Sequence, residues 1–338
     1  MNITLKASYL KLILPLVIIG LFLSFITCES EPKPPMQLVG PVFGTSYQIQ
    51  YFSEEEDVYT KQIDSLFEIV NTSMSTYIPN SIISKLNKGN SVVLDEHFKR
   101  VFNASKRVYR STEGAFDPTI GAVVNAWDFG PEGGIADIDS TAINSIMNTV
   151  GFNRMGIRGD TLINKSGAYL DFNAIAKGYA VDLVAEFLES KNVFNYLVEI
   201  GGELRASGVH LAKEQPWRVG LDTPRFDGKQ SVFKAFDFDA EAMATSGTYR
   251  KFKVDADGNR YTHIIDTETG YPSQSPILSV SVIAEECMIA DAYATAFQTM
   301  KTEDIRQFLE RHPELKVFLI VANENNEFET LNFNNFPE

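Results

Sequence analysis

Cysteine is scarce in these 338 residues. Cys28 and Cys287 are the whole complement, so no disulfide framework supports the fold. Basic residues are outnumbered, 30 Lys+Arg against 44 Asp+Glu, and the net charge is −14. So acidic a chain repels phosphate backbones, which excludes a general nucleic-acid binder and leaves room only for a locally basic pocket holding one anionic ligand. The sequence has no G-x-G-x-x-G, Walker A loop, C-x-x-C pair or H-E-x-x-H. Their absence argues against dinucleotide-binding Rossmann, P-loop and zinc chemistry. No fixed-period repeat and no low-complexity segment occurs. What remains is 44% hydrophobic and 22% charged, the composition of a globular protein.

The first 27 residues are expected to lie outside the fold. Lys6 and Lys11 precede an apolar run, Leu12 to Ile26, broken only by Pro15, Gly20 and Ser24. The run is shorter than the ~20 apolar residues of a membrane span and has the length of a signal-peptide core. It ends at Phe25-Ile26-Thr27-Cys28, and the polar, proline-rich Glu29 to Pro35 follows at once. An apolar run closing on a cysteine resembles a bacterial lipoprotein signal, with Cys28 as the lipidated first residue. Ile26 and Thr27 depart from the small residues usual there. An uncleaved anchor with an incidental cysteine is the alternative. Either puts the body outside the cytoplasm, at a membrane. Loss of residues 1–27 removes Lys6 and Lys11 and no acid, which moves the net charge from −14 to −16. Residues 28–36 then read as a tether and 37–338 as one catalytic-sized unit.

Within that unit, alternation predicts a strand over Thr45 to Phe52, and helical spacing marks Thr60 to Asn71, Glu96 to Thr112 and Asp139 to Val150. Val198 to Ile200, Trp217 to Leu221, Leu278 to Ala284 and Val317 to Val321 read as strands. Helices and strands mix without a regular βαβ alternation, so the expected class is α+β.

Three segments carry candidate chemistry. Tyr169 to Asp182 reads as a strand end, a cap at Asp171 or Asn173, and a helix with Ile175, Tyr179, Leu183 and Phe187 on its apolar side. Lys177 near that helix start suits an anion, or is simply a surface lysine. Asp291 and Thr295 are four apart on an Ala-rich helix and share one face. Carboxylate plus hydroxyl is oxygen chemistry suited to Mg²⁺; the alternative is a helix-start Asp with Thr295 bonding back along its own helix. His263 stands in a short apolar strand-like run, either as a structural residue or as a general base near neutral pH. His97 and His210 have polar sequence neighbours, and Asp266 is no reliable partner for His263.

Taken in order, the motifs resemble the ApbE family of FAD:protein FMN transferases. They are Phe43-Gly44-Thr45, Met74-Ser75-Thr76-Tyr77, Phe116-Asp117-Pro118-Thr119-Ile120-Gly121, Leu170-Asp171 with Ala176-Lys177-Gly178-Tyr179-Ala180-Val181-Asp182, Ile200-Gly201-Gly202, Ala244-Thr245-Ser246-Gly247, His263-Ile264-Ile265-Asp266, and Ala290-Asp291-Ala292 with Thr295. They span roughly residues 40–300. Each alone is weak; their shared order is specific.

The resemblance implies a single large T-fold-like α+β unit. It implies Mg²⁺ held by Asp291, Thr295 and the main-chain oxygen of Ala174. Flavin-nucleotide contacts fall to Phe43, Ser75, Thr76, Tyr77, Asp117, Thr119, Lys177 and His263, and His263 is the catalytic candidate. The implied reaction moves FMN from FAD to a Thr or Ser hydroxyl of an acceptor, a membrane redox protein, and releases AMP. The implied location is the periplasmic face of the bacterial inner membrane, through a lipid anchor. An FAD pyrophosphatase and a non-catalytic flavin-binding lipoprotein are the alternatives. The chain departs from the family pattern in four places: Phe43 replaces Met, Ile82 an acidic residue, Phe172-Asn173-Ala174 a glycine-rich stretch, and Thr248 an Asp. Phe43 and Ile82 are expected to reshape the nucleotide pocket.

Overall fold

In a computed structural model of the chain, the described residues are 33–53, 58–136, 138–239, 241–254, 258–325 and 327–338. Cys28 and the expected signal lie outside them. The first half contains β1 (Met36–Val42), β2 (Thr45–Tyr51), α1 (Thr60–Met74), α2 (Ile82–Asn87), α3 (Glu96–Ser111), α4 (Gly121–Ala126), α5 (Ser140–Met147), β3 (Met155–Arg158) and β4 (Thr161–Asn164). The second half contains α6 (Ala176–Ser190), β5 (Tyr196–Ile200), β6 (Glu203–Ser207), β7 (Val209–His210), β8 (Gln215–Asp222), β9 (Val232–Phe238), β10 (Ala242–Gly247), β11 (Phe252–Val254) and β12 (Arg260–Thr262). It closes with β13 (Ile277–Ala284), α7 (Cys287–Phe297), α8 (Thr302–Glu310), β14 (Lys316–Ala322) and β15 (Phe328–Phe333). The expected elements are present with ends moved by a few residues, and the class is α+β.

The centre is an eight-stranded antiparallel sheet in the order β1-β2-β5-β6-β10-β13-β14-β15. Both faces are covered, which strand alternation makes possible. Along β14, Val317 and Leu319 enter the helix-side core while Phe318 and Ile320 enter the core beneath the small β7-β8-β9 sheet. Along β10, Ala242 and Ala244 face the helices and Met243 faces the other way. Helices α1, α3, α6 and α7 supply the helix-side core, with Phe67, Phe98, Val184 and Phe297 among its buried residues. Residues Pro35–Glu338 form one compact unit. Among the described residues no helix is long and apolar enough to cross a membrane.

Four local expectations are corrected. Tyr169-Leu170-Asp171 is irregular rather than a strand end. Neither Asp171 nor Asn173 caps α6: its N-cap is Ile175, without a side-chain bond, and Asp171 Oδ1 instead accepts the Asn173 N–H in a tight turn. The buried side of α6 is also wider than the Ile175-Tyr179-Leu183-Phe187 stripe. Gly178, Ala180, Val181, Val184, Ala185 and Leu188 are buried while Leu183 and Phe187 are partly exposed, because α6 lies between the sheet and other helices. His210 packs against the rings of Phe52 and Trp217, so its polar sequence neighbours misstate its surroundings.

Candidate functional site

The β1–β2 hairpin, the β5–β6 turn, the end of β10 and the start of α6 converge at one end of the sheet, around a cavity of about 930 Å³. At the hairpin, Phe43 has φ 49° and Gly44 φ 76°, the left-handed pair that a tight two-residue turn between twisted strands requires. A phenylalanine accepts that strained conformation at a cost; its ring is held edge-on by Phe67, 5.6 Å between centroids, at the cavity wall.

Two helices bring the oxygen donors together. A hypothetical Cβ on Gly178 would lie 2.4 Å from the Cys287 carbonyl oxygen, so only glycine lets α6 approach the start of α7 this closely. In a regular helix the Gly178 N–H would bond the Ala174 carbonyl. Here it donates to Asp291 Oδ2 at 3.1 Å, and no backbone N–H among the described residues bonds Ala174 O. Asp291 is one turn inside α7, not at its start, and is buried. Thr295 follows on the same face, its Oγ1 3.2 Å from the Ser246 hydroxyl. Ala174, Asp291 and Thr295 all line the cavity. Carbonyl, carboxylate and hydroxyl are a hard oxygen set of the kind that fits a small divalent cation. Among the described residues no group of three His, Cys, Asp or Glu side chains could hold a metal, so a soft-ligand site is not built here.

His263 lies just beyond β12 and is half-buried. Its backbone N–H (3.2 Å) and its Nδ1 (2.8 Å) both reach the Lys251 carbonyl oxygen. A carbonyl only accepts, so the proton sits on Nδ1 and the Nε2 lone pair is left free. Desolvation, reinforced by Lys251, Lys177 and Arg250, pushes the imidazole down to about 4 and keeps it neutral at neutral pH. Asp266 takes no part: its Oδ1 accepts the N–H groups of Glu268 and Thr269 in a turn.

The cavity is not the net basic pocket that the sequence left room for. Lys177, Arg250 and Lys251 line it, but so do Asp117, Asp171, Glu203 and Asp291. Lys177 Nζ is 2.5 Å from Glu203 Oε2, whose carboxylate is buried at the β5–β6 turn. Burial opposes the lysine charge, yet Glu203 and Asp291 outweigh it and raise its pKa. Desolvation pushes the carboxyls of Asp117, Asp171 and Asp291 above their usual range. Three cations against four carboxylates leave a formal −1 before any ligand enters. The side chains alone therefore offer an anionic ligand no net positive charge, and the oxygen set around Asp291 is of the kind that fits a cation.

Of the residues that the family motifs singled out, Phe43, Ser75, Tyr77, Asp117, Ala174, Lys177, His263, Asp291 and Thr295 line this one cavity. Thr76 and Thr119 are buried outside its lining. Thr119 braces Asp117 instead: its Oγ1 donates to Asp117 Oδ1 at 2.5 Å and accepts the Gly151 N–H at 2.8 Å. Ile82 also lies outside the lining and packs on the helix-side core, so only Phe43 of the two departures reshapes the pocket wall. Sequence reasoning missed Glu203, Arg250 and Lys251. A charge beside a glycine turn ordinarily reads as solvated loop, and nothing local marks these three as facing a cavity.

The ApbE family model matches residues 43–319. The chain is 37% identical to the FAD:protein FMN transferase of Vibrio cholerae over 300 residues, covering 85% of this chain and 88% of that protein. It is 33% identical to the FAD:protein FMN transferase of Haemophilus influenzae over 334 residues, covering 93% and 94%. The solved structure of the flavin transferase ApbE from Vibrio cholerae superposes with a TM-score of 0.79 at 34% identity, over 89% of this chain and 98% of that one. Motif order and overall fold thus agree with the comparisons, and the chain belongs to the ApbE family.

Proposed function

We propose that this protein is an FAD:protein FMN transferase whose reacting centre is the cavity between the β1–β2 hairpin and the α6–α7 pair. The acceptor hydroxyl oxygen attacks the phosphorus on the FMN side of the FAD pyrophosphate. The bond from that phosphorus to the bridging oxygen breaks, AMP leaves with that oxygen, and FMN stays on the acceptor as a phosphoester. His263 Nε2 takes the hydroxyl proton. The observation that carries this reading is the His263–Lys251 contact, which holds Nδ1–H on a carbonyl and leaves a neutral base in the same cavity as Lys177 and Asp291. Lys177 offers its ammonium to the pyrophosphate from the start of α6.

Ala174 O, Asp291 and Thr295 would hold the divalent cation, Mg²⁺ in this reading. When bound it would neutralise the pyrophosphate and the charge that builds on the departing phosphate. Phe43, Ser75, Tyr77 and Asp117 are the side chains available to grip the nucleotide, and Thr119 braces Asp117 through its hydroxyl.

The apolar run ending at Cys28 supports a lipid anchor, which would confine the enzyme and a membrane redox acceptor with its Thr or Ser to one surface, the periplasmic face of the inner membrane. Mass spectrometry that finds Cys28 unmodified in the mature wild-type chain sinks the anchor. For the reaction, the full-length chain is incubated with FAD, Mg²⁺ and an acceptor peptide. Covalent peptide-FMN is the expected product. Free FMN without labelled peptide identifies a pyrophosphatase instead, and unchanged FAD a flavin-binding protein without catalysis.

A further inference from the structure

Asp182 has no part in the chemistry above, yet it is fully buried and fully engaged. From the second turn of α6 it reaches across to the start of α7, where Oδ1 accepts the Cys287 N–H and Oδ2 the Met288 N–H, both at 2.9 Å. Helix α7 has no cap of its own, since Glu286 at its N-cap makes no side-chain bond. A helix start left without acceptors exposes donors that must be satisfied from elsewhere. Arg205 fixes the orientation of Asp182, with Nη1 3.1 Å from Oδ1 and Nη2 3.3 Å from Glu189 Oε1.

The contact is returned. Asp291, one turn after Cys287, accepts the N–H of Gly178, one turn before Asp182. Each helix therefore holds the other through one carboxylate, across the close approach that Gly178 permits. Ala174 precedes the first helix by two residues, and Asp291 and Thr295 belong to the second. Their separation is set where the two helices are locked.

We propose that Asp182 is a positioning residue for the divalent cation: by capping α7 from α6, it sets Asp291 and Thr295 against the Ala174 carbonyl. The inference rests on the oxygen-donor reading of the site given above. Mg²⁺ demands near-octahedral oxygens at about 2.0–2.1 Å, so a slip of one helix by a fraction of an ångström is enough to weaken it. Asp182→Asn keeps one acceptor oxygen but turns an amide N–H₂ toward the other backbone N–H, which loosens this cap while leaving every donor oxygen in place.

The test uses the full-length chain and Mn²⁺ as the probe, with free Mn²⁺ followed by its electron paramagnetic resonance signal and folding by urea titration. Asp182→Asn is expected to weaken Mn²⁺ binding by ~10-fold or more, the scale seen when partners behind metal ligands are removed. The Mg²⁺ needed for half-maximal FMN transfer should rise by the same factor, with the rate largely recovered at saturating Mg²⁺. Tyr293 is on α7 with Asp291 but outside the cavity lining, and Tyr293→Phe, which removes its 3.0 Å contact to Ser111 of α3, should lower the urea midpoint and leave Mn²⁺ affinity unchanged. Wild-type Mn²⁺ affinity in folded Asp182→Asn overturns the proposal, as does a rate lowered equally at every Mg²⁺ concentration. Should Asp182→Asn not fold, Arg205→Lys carries the test, because it loosens Asp182 without removing the cap. Unchanged affinity there overturns the proposal as well. A wild-type chain that binds no Mn²⁺ overturns the underlying metal site, a result distinct from the failure of Asp182 alone.

Discussion

The N–H of Gly178 donates to the Asp291 carboxylate 3.1 Å away, where a regular helix would have spent it on the Ala174 carbonyl. That single exchange leaves the main-chain oxygen of Ala174, just before α6, unused by the backbone, ties down one oxygen of Asp291, and puts both on the wall of one cavity. The site's oxygen chemistry follows from a glycine as much as from an acid.

Asp291→Asn keeps the shape and removes the only carboxylate of that donor set. It should weaken Mg²⁺ binding and FMN transfer much more than Thr295→Val does. Because FAD phosphates would share the metal, Mg²⁺ and FAD should each strengthen the other's binding by one common factor. Asp95 is the control: outside the cavity, it caps α3 through the Phe98 N–H at 2.7 Å and accepts from Ser73. Asp95→Asn should cost at most about 1 kcal/mol of stability and leave both affinities alone. Paired titrations of Mg²⁺ with and without FAD check this. An Asp291→Asn variant indistinguishable from wild type removes the site.

His263→Ala should lower the single-turnover rate of FMN transfer by ~10²-fold or more, with FAD affinity largely kept. Near-normal turnover would take His263 out of the mechanism. Loss of FAD binding would make it a structural residue.

The pH dependence has a definite sign. His263 is held near 4, below its unfolded value of about 6.5. Its neutral form is therefore favoured in the folded chain. Between those two values the unfolded state binds more protons, so this residue's contribution to stability is present above about 6.5 and is lost as pH falls toward 4. A proton NMR titration of the metal-free chain should show the His263 imidazole midpoint near 4. A midpoint near 6.5 would refute the desolvated, Nδ1-protonated state.

Lys177 and Glu203 should behave as a unit. Lys177→Met leaves a buried carboxylate without its cation and should cost about 2–3 kcal/mol, below the range for a fully buried pair because 32% of the lysine side chain is exposed. Adding Glu203→Gln should restore most of that stability while FAD binding stays weak. Urea midpoints for both singles and the double close the cycle. Strict additivity would mean that the two do not interact.

Periodicity alone reached the strongly patterned elements of the fold. The helices over Thr60–Met74 and Glu96–Ser111 and the strands around Ile49, Val219, Val280 and Leu319 declare themselves, since burial of one face imposes a repeat on nearby residues. Asp291 and Thr295 were readable as a pair because a helix places i and i+4 together whatever surrounds it. Partnership across the sheet left no such trace. Nothing near Glu203 in sequence points to Lys177, and nothing near Asp182 points to the start of α7, over a hundred residues away. The proton on His263 Nδ1 depends on a carbonyl twelve residues earlier, brought back by the β11–β12 hairpin. Sequence by itself determined where the strongly periodic helices and strands lie, because that rests on local spacing. Only the tertiary structure decided which carboxylate caps, which pairs and which faces the cavity, because hydrogen bonding and desolvation depend on neighbours that distant parts of the chain supply.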